Sequence, residues 1–197
     1  QVFEEIDFAA DDLTARQAVV QRVLQAHGFD RGWADVVVTM LEKVLHTPLD
    51  TAGSLRLSMI ERSCRIDEMS FYYPLSQLRA DDLRQLLSEH GFGGDTRIAE
   101  GINQIDFKAV TGFMHGYIDL VFEANGQFCL ADYKSNHLGD CYEDYRPDEL
   151  TVVMAREQYT LQYLVYTVAL HRFLRQRVPD YDYERHFGGV YYLFLRG

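Results

Sequence analysis

The sequence predicts an α/β domain, and three features carry that expectation. Two strand-like runs, Phe113 to Phe122 and Gln127 to Lys134, are joined through Glu123, Ala124, Asn125 and Gly126, and Asn-Gly is the strongest short hairpin signal. A helical pattern follows from roughly Leu150 to Arg175, with Leu161, Leu164, Val165, Val168 and Ala169 at helical spacing. The last run, Gly189 to Leu195, is almost wholly apolar and reads as a strand buried on both faces.

The remaining elements fall in order around these. Leu13 to His27 and Trp33 to Leu45 carry apolar residues at three- and four-residue steps and end near Gly28 and Pro48, as packing helices do. Ser54 to Leu75 changes period: Leu55, Leu57 and Met59, then Met69, Phe71 and Tyr73, alternate up to Pro74, which predicts a pair of strands. Ser76 to Gly91 returns to helical spacing through Leu78, Leu83, Leu86 and Leu87, and a turn at Gly91, Gly93 and Gly94 closes what reads as an insertion. An acidic loop, Gly139 to Glu149, separates the hairpin from the long helix. The order is helices, three strands, a long helix and a last strand, without internal repeats. It forms one domain with a helical region (1–50), first strands with a helical insertion (51–111) and a core (112–197).

Composition narrows the functional classes. Hydrophobic residues make up 47% and charged residues 25% of the chain, and no apolar run approaches the roughly 18 residues that a membrane helix needs. Thirty acidic against nineteen basic side chains leave a net charge of −11, which opposes nonspecific attraction to a polyanion. Affinity for DNA would therefore have to come from a small basic or metal-bearing site, or from a partner that delivers the strand. Cys64, Cys129 and Cys141 are odd in number and irregular in spacing, which supports neither a disulfide framework nor a four-ligand zinc site. A reducing cytoplasm is the expected home. The chain starts at Gln1 without an initiator Met or a signal-peptide pattern and reads as a fragment of a longer protein.

The hairpin is where chemistry concentrates. With Asn125 and Gly126 as the loop, Ala124 pairs with Gln127, and counting outwards sets Asp119 opposite Asp132. Opposed residues point to one face with β-carbons about 4.5 to 5.5 Å apart, so the two carboxylates repel unless a cation compensates them. Lys134, two residues beyond Asp132, projects from the same face. Single charged residues on strands are ordinarily solvated surface groups. Here Ile118, Leu120 and Val121 surround one acid while Leu130 and Ala131 precede the other, which points to a built site. Hard carboxylate oxygens suit Mg²⁺, and a lysine beside them suits phosphodiester hydrolysis, where it orients the attacking water and stabilises charge on phosphorus. The main-chain carbonyl of Tyr133, between the two motif residues, is a further candidate metal ligand.

Gly116-Tyr117-Ile118-Asp119 followed by Asp132-Tyr133-Lys134-Ser135 resembles the PD-(D/E)XK nuclease superfamily, specifically its RecB branch, whose Gln-x-x-x-Tyr element on the next helix is matched by Gln162 and Tyr166. The similarity continues through Leu170-His171-Arg172 and Tyr181-Asp182-Tyr183-Glu184 to His186-Phe187-Gly188-Gly189-Val190; it is strong from Gly112 to Gly197 and weaker in the first third. The resemblance implies a restriction-endonuclease-like α-β-β-β-α-β core with an added N-terminal helical region. It makes Asp119 and Asp132 metal ligands and Lys134 the catalytic lysine, with Gln162 and Tyr166 supporting the site or touching DNA. It also implies Mg²⁺ as cofactor, single DNA strands delivered by a helicase as substrate, and the other subunits of a RecBCD-like complex and a RecA-like recombinase as partners. Nucleases of this branch place a metal-ligating His just before a segment resembling Val2-Phe3-Glu4-Glu5, which puts it upstream of Gln1. No Gly-x-x-x-x-Gly-Lys-[Ser/Thr] occurs, so ATP binding by this chain is not expected.

Other residues carry weaker signals. His115 and His137 flank the hairpin but form no cluster with ligand spacing; Asp140, Glu143, Asp144, Asp148 and Glu149 read as a solvated loop; Tyr142 or Tyr145 is placed to stack on bases or to join the core. The competing function is a docking module for a recombinase or helicase partner that does not cleave. The acidic balance favours docking, and the retained Asp119, Asp132, Lys134, Gln162 and Tyr166 favour an enzyme.

Overall fold

The computed structural model describes residues 1–90 and 94–197. In chain order its elements are α1 (Val2–Glu5), α2 (Leu13–Ala26), α3 (Ala34–His46), β1 (Arg65–Leu78), α4 (Ala80–Glu89), α5 (Thr96–Asn103), β2 (Val110–Ala124), β3 (Gln127–Lys134), α6 (Pro147–Arg156), α7 (Tyr159–Arg177), α8 (Tyr183–His186) and β4 (Phe187–Phe194). The strands form one four-stranded sheet in the order β1-β2-β3-β4. The α/β class predicted from the sequence is the one observed, and the sheet with its flanking helices is compatible with a restriction-endonuclease-like core.

The hairpin forms in the predicted register. Asn125 (φ 53°) and Gly126 (φ 75°) both adopt left-handed backbone, which a two-residue turn between twisted strands demands and which Asn and Gly tolerate best. Ala124 pairs with Gln127, and the antiparallel ladder runs to Leu120 opposite Ala131. On the other side β3 pairs with β4 in parallel, Asp132 beside Tyr192 and Lys134 beside Phe194, with a register irregularity between Phe128 and Cys129. Gly188 sits at that irregularity because a β-carbon there would come within 2.5 Å of the Cys129 sulfur.

The chain divides into two compact units. The first comprises Gln1–Met69, Ile118–Asn136 and Asp182–Arg196. Its helix α2 starts where the Asp12 carboxylate accepts a hydrogen bond from the Ala15 amide at 2.9 Å. Val20 of α2 and Leu41 and Leu45 of α3 pack with Phe8, Leu57, Leu120, Phe122 and Ala131 into one core. Full burial of a residue such as Phe122 contributes on the order of 2 to 3 kcal/mol. Two arginines are buried with it. Arg16 pairs with Glu42 and donates to the Phe8 and Ala10 carbonyls; Arg65 lies 3.5 Å over the Phe8 ring and donates to the Phe3 and Ile6 carbonyls. Both hold the N-terminal segment by its main chain.

The second unit comprises Ser70–Tyr117, His137–Tyr181 and Gly197. Ala80, Leu87, Ile102 and Ile105 form its small core, with Leu83, Ile98, Phe107 and Leu164 packed around it. Asp95 caps α5 and grips Arg97 through the backbone amide at 2.8 Å and the side chain at 2.7 and 3.0 Å.

Several expectations need correction. Leu55, Leu57 and Met59 form no strand: Leu57–Met59 is a 3-10 turn, and the alternation arises because Leu55, Leu57 and Ile60 anchor a loop in the core. One strand, β1, replaces the expected pair and runs through Pro74 to Leu78, which an edge strand permits because one side of it needs no hydrogen bonds. The helix expected over 150–175 is two helices, α6 and α7, broken at Gln158, whose backbone is left-handed (φ 57°) and whose side chain donates to the Gly101 carbonyl at 2.9 Å. The helix α5 has no counterpart in the sequence reading. β4 is half-buried along its whole length, not buried on both faces, as an edge position dictates. The expected turn residues Gly91 and Gly93 lie outside the described residues.

Candidate active site

The first unit gathers Asp119, Asp132, Tyr133 and Lys134 at the open end of the β2–β3 hairpin. One step beyond the Leu120–Ala131 pair, an Asp119 side-chain oxygen accepts the Tyr133 amide hydrogen at 2.8 Å. Asp132 Oδ2 lies 2.6 Å from Lys134 Nζ. The pair is buried, Asp132 being 3% and Lys134 8% exposed. Strand periodicity explains the meeting, since residues two apart share a face. Lys134 also has its ammonium 5.2 Å from the centroid of the Tyr192 ring on the neighbouring parallel strand.

The electrostatics of the site are set by burial. Loss of water pushes the Asp132 carboxyl above its ordinary range and the nearby charge of Asp119 pushes the same way, while the hydrogen bond from Lys134 opposes both. The two carboxylates are therefore electrostatic neighbours, as the predicted register requires.

Between the motif residues, Tyr133 turns to the opposite side. Its ring stacks on Phe3 at 4.1 Å between centroids, and burial drives its phenol well above the usual range. This packing fixes the main chain that presents Asp132 and Lys134.

Glu68 of β1 is a residue that the sequence reading missed. It is exposed, has left-handed backbone (φ 49°), and loss of water followed by the charge of Asp119 raises its carboxyl above the usual value. A third carboxylate thus stands within electrostatic reach of Asp119. The available signal was an acid in the alternating run before Phe71, indistinguishable locally from a solvated strand residue.

Gln162 and Tyr166 belong to the second unit. They share a face of α7, as their four-residue spacing predicts, with Gln162 Nε2 donating to the Tyr166 hydroxyl at 2.9 Å. His137 is exposed and pairs with Asp140 at 3.1 Å, an ordinary surface contact. Tyr145 is buried and its hydroxyl accepts the Leu138 amide hydrogen, so it belongs to the core; Tyr142 is exposed.

Among the described residues, no group of three or more His, Cys, Asp or Glu side chains is arranged to hold a metal ion. Mg²⁺ does not need such a cage, because it retains several waters and is commonly held by one or two carboxylates. Asp119, Asp132 and the Tyr133 carbonyl offer hard oxygen donors only, and the mutual repulsion of the carboxylates is the kind that a divalent cation relieves. The donor chemistry fits magnesium.

A mixed sheet that presents facing carboxylates and a lysine from one hairpin places this chain among α/β domains with a restriction-endonuclease-like core. No family model matches it. The chain is 39% identical over 197 residues, its whole length, to the RecBCD enzyme subunit RecB of Escherichia coli, and covers 16% of that protein. It is 36% identical to the subunit of the same name from Haemophilus influenzae, over 90% of this chain and 14% of that one. It is also 36% identical to that of Mycobacterium tuberculosis, over all of this chain and 20% of that one. From end to end, the chain is a homologue of one segment of RecB.

Proposed function

We propose that this domain hydrolyses DNA phosphodiester bonds with Mg²⁺, as the nuclease domain of a RecB-type helicase-nuclease in double-strand-break repair and recombination. The observation that carries the reading is the buried Asp132–Lys134 pair beside Asp119. A buried ion pair is weak stabilisation, often matched or exceeded by apolar residues of the same volume, so its presence in a strand whose other buried residues are Cys129, Leu130 and Ala131 argues for chemistry. The same point weighs against a docking module that does not cleave.

Asp119, Asp132 and the Tyr133 carbonyl would hold the metal. Mg²⁺ bound there would polarise a phosphate oxygen and lower the pKa of a coordinated water. Lys134, held by Asp132, orients the attacking water and stabilises negative charge developing on phosphorus. Gln162 and Tyr166 act as a hydrogen-bonded unit that supports the site or contacts the strand. The proposed partners are single DNA strands delivered by a helicase, the other subunits of a RecBCD-like complex and a RecA-like recombinase. A cytoplasmic location fits this role, and no described helix is long and apolar enough to cross a membrane.

The test is cleavage of single-stranded DNA by the full-length protein with Mg²⁺, with EDTA, and after Asp132→Asn. Cleavage should require Mg²⁺ and vanish in the variant. Normal cleavage by Asp132→Asn would refute the assignment.

A further inference from the structure

We infer that an exposed aromatic stripe on β1 and β2, made of Tyr72, Phe113, His115 and Tyr117, is a stacking track for the unpaired bases of a single DNA strand. The inference deepens the nuclease reading and rests on it. Tyr72 is 65%, Phe113 62% and Tyr117 51% exposed, and His115 is exposed between them. These rings meet one another: Tyr72 and Phe113 stack at 4.6 Å with planes 14° apart, His115 stands edge-on to Tyr72 at 6.3 Å, and Tyr117 edge-on to His115 at 5.3 Å. The stripe follows from strand geometry, because Phe113, His115 and Tyr117 are alternate residues of β2. On the other side of that strand Gly116 lies against the buried Phe71, which leaves the aromatic side outward.

Large exposed aromatic surface is unfavourable in water, and contiguous patches of it mark binding sites. The chemistry of the stripe selects the ligand. In a chain with thirty acidic residues, residues 70–76 and 110–117 contain no Asp, Glu, Lys or Arg. These two runs carry no acidic side chain to repel a polyanion and no basic one with which to hold phosphates. Stacking on ring faces is the interaction left, and it is the one that binds single strands irrespective of sequence. It also resolves how a domain of net charge −11 engages DNA, since stacking does not depend on releasing counterions. Along the chain, the candidate catalytic Asp119 comes two residues after Tyr117 on the same strand.

The full-length protein provides the test. Single-stranded oligonucleotides carrying 5-iododeoxyuridine, which crosslinks to stacked aromatic rings on irradiation, should be recovered on Tyr72, Phe113 or Tyr117 by peptide mapping. Tyr72→Ala, Phe113→Ala and Tyr117→Ala should each raise KM for single-stranded DNA roughly 5- to 150-fold, the range for losing one base–aromatic stack, with kcat much less affected. Phe113→Tyr, which keeps a ring, should behave like the wild type. An oligonucleotide with a run of abasic sites should bind the wild type more weakly than intact DNA, and Tyr72→Ala/Phe113→Ala should lose most of that discrimination. Crosslinks that map only elsewhere, or equal abasic discrimination in wild type and variant, would overturn the track and leave the stripe as a protein-docking surface. Crosslinking and base-dependent binding at these residues without Mg²⁺-dependent cleavage would instead sink the nuclease reading alone.

Discussion

The ion pair at the centre of the site should be a liability to stability that its partnership offsets. In metal-free buffer with EDTA, Asp132→Ala leaves the Lys134 ammonium, 8% exposed, without the carboxylate 2.6 Å away. Breaking a buried pair in this way costs about 3 to 5 kcal/mol. The low end, about 3 kcal/mol, is expected here because Asp119 loses a like-charged neighbour at the same time. Lys134→Met should cost more, about 4 to 5 kcal/mol, since it leaves two carboxylates facing each other. If the two effects were independent, the double variant Asp132→Ala/Lys134→Met would lose about 7 to 8 kcal/mol, more than many domains possess. Coupling predicts instead that it is no less stable than either single variant. Urea unfolding of the four proteins, followed by circular dichroism, measures the cycle, and cleavage of single-stranded DNA measured alongside should be absent in all three variants. Additive losses, within about 0.5 kcal/mol, would refute the account of the site as a strongly coupled buried pair.

Further outcomes follow from other parts of the fold. Cys64 and Cys141 are exposed while Cys129 is buried with its thiol pushed up to about 11, so a disulfide reagent at neutral pH should titrate two thiols quickly and the third only on unfolding. Gly116→Ala drives a β-carbon to 2.6 Å from the Phe71 ring, which should cost about 1 to 3 kcal/mol by thermal or urea denaturation; an unchanged midpoint would mean that Phe71 moves freely. Asp95 is held down to about 2 by its hydrogen bonds from Arg97. Its contribution is therefore present above its ordinary value of 3.8 and lost as pH falls through about 2. Asp95→Asn should accordingly be less stable than wild type at neutral pH, with the difference shrinking between those two values, and a difference independent of pH would exclude this role.

The sequence alone determined the hairpin, its register and the identity of its charged residues, because each depends on short-range chemistry. Asn125-Gly126 is among the few pairs that accept two left-handed residues in a row, and once the turn is set, strand pairing carries the register outwards to Asp119 and Asp132. The Gln162–Tyr166 contact was likewise legible, since four residues is close to one turn of helix. What the tertiary structure decided depends on partners distant in sequence. Nothing around Glu157-Gln158-Tyr159 signals a helix break; Gln158 is turned there and bonded to a carbonyl 57 residues away. The alternation of Leu55 and Leu57 looks like a strand, yet these side chains reach a core built by α2 and α3. Pro74 stays inside β1 because that strand lies at the sheet edge, and β4 is only half-buried for the same reason. Glu68 gains meaning only through its nearness to Asp119. Even the depth of the Asp132–Lys134 pair escaped the local pattern: strand periodicity puts the two on one face, but tertiary packing decides whether that face meets water, and here it leaves both side chains buried.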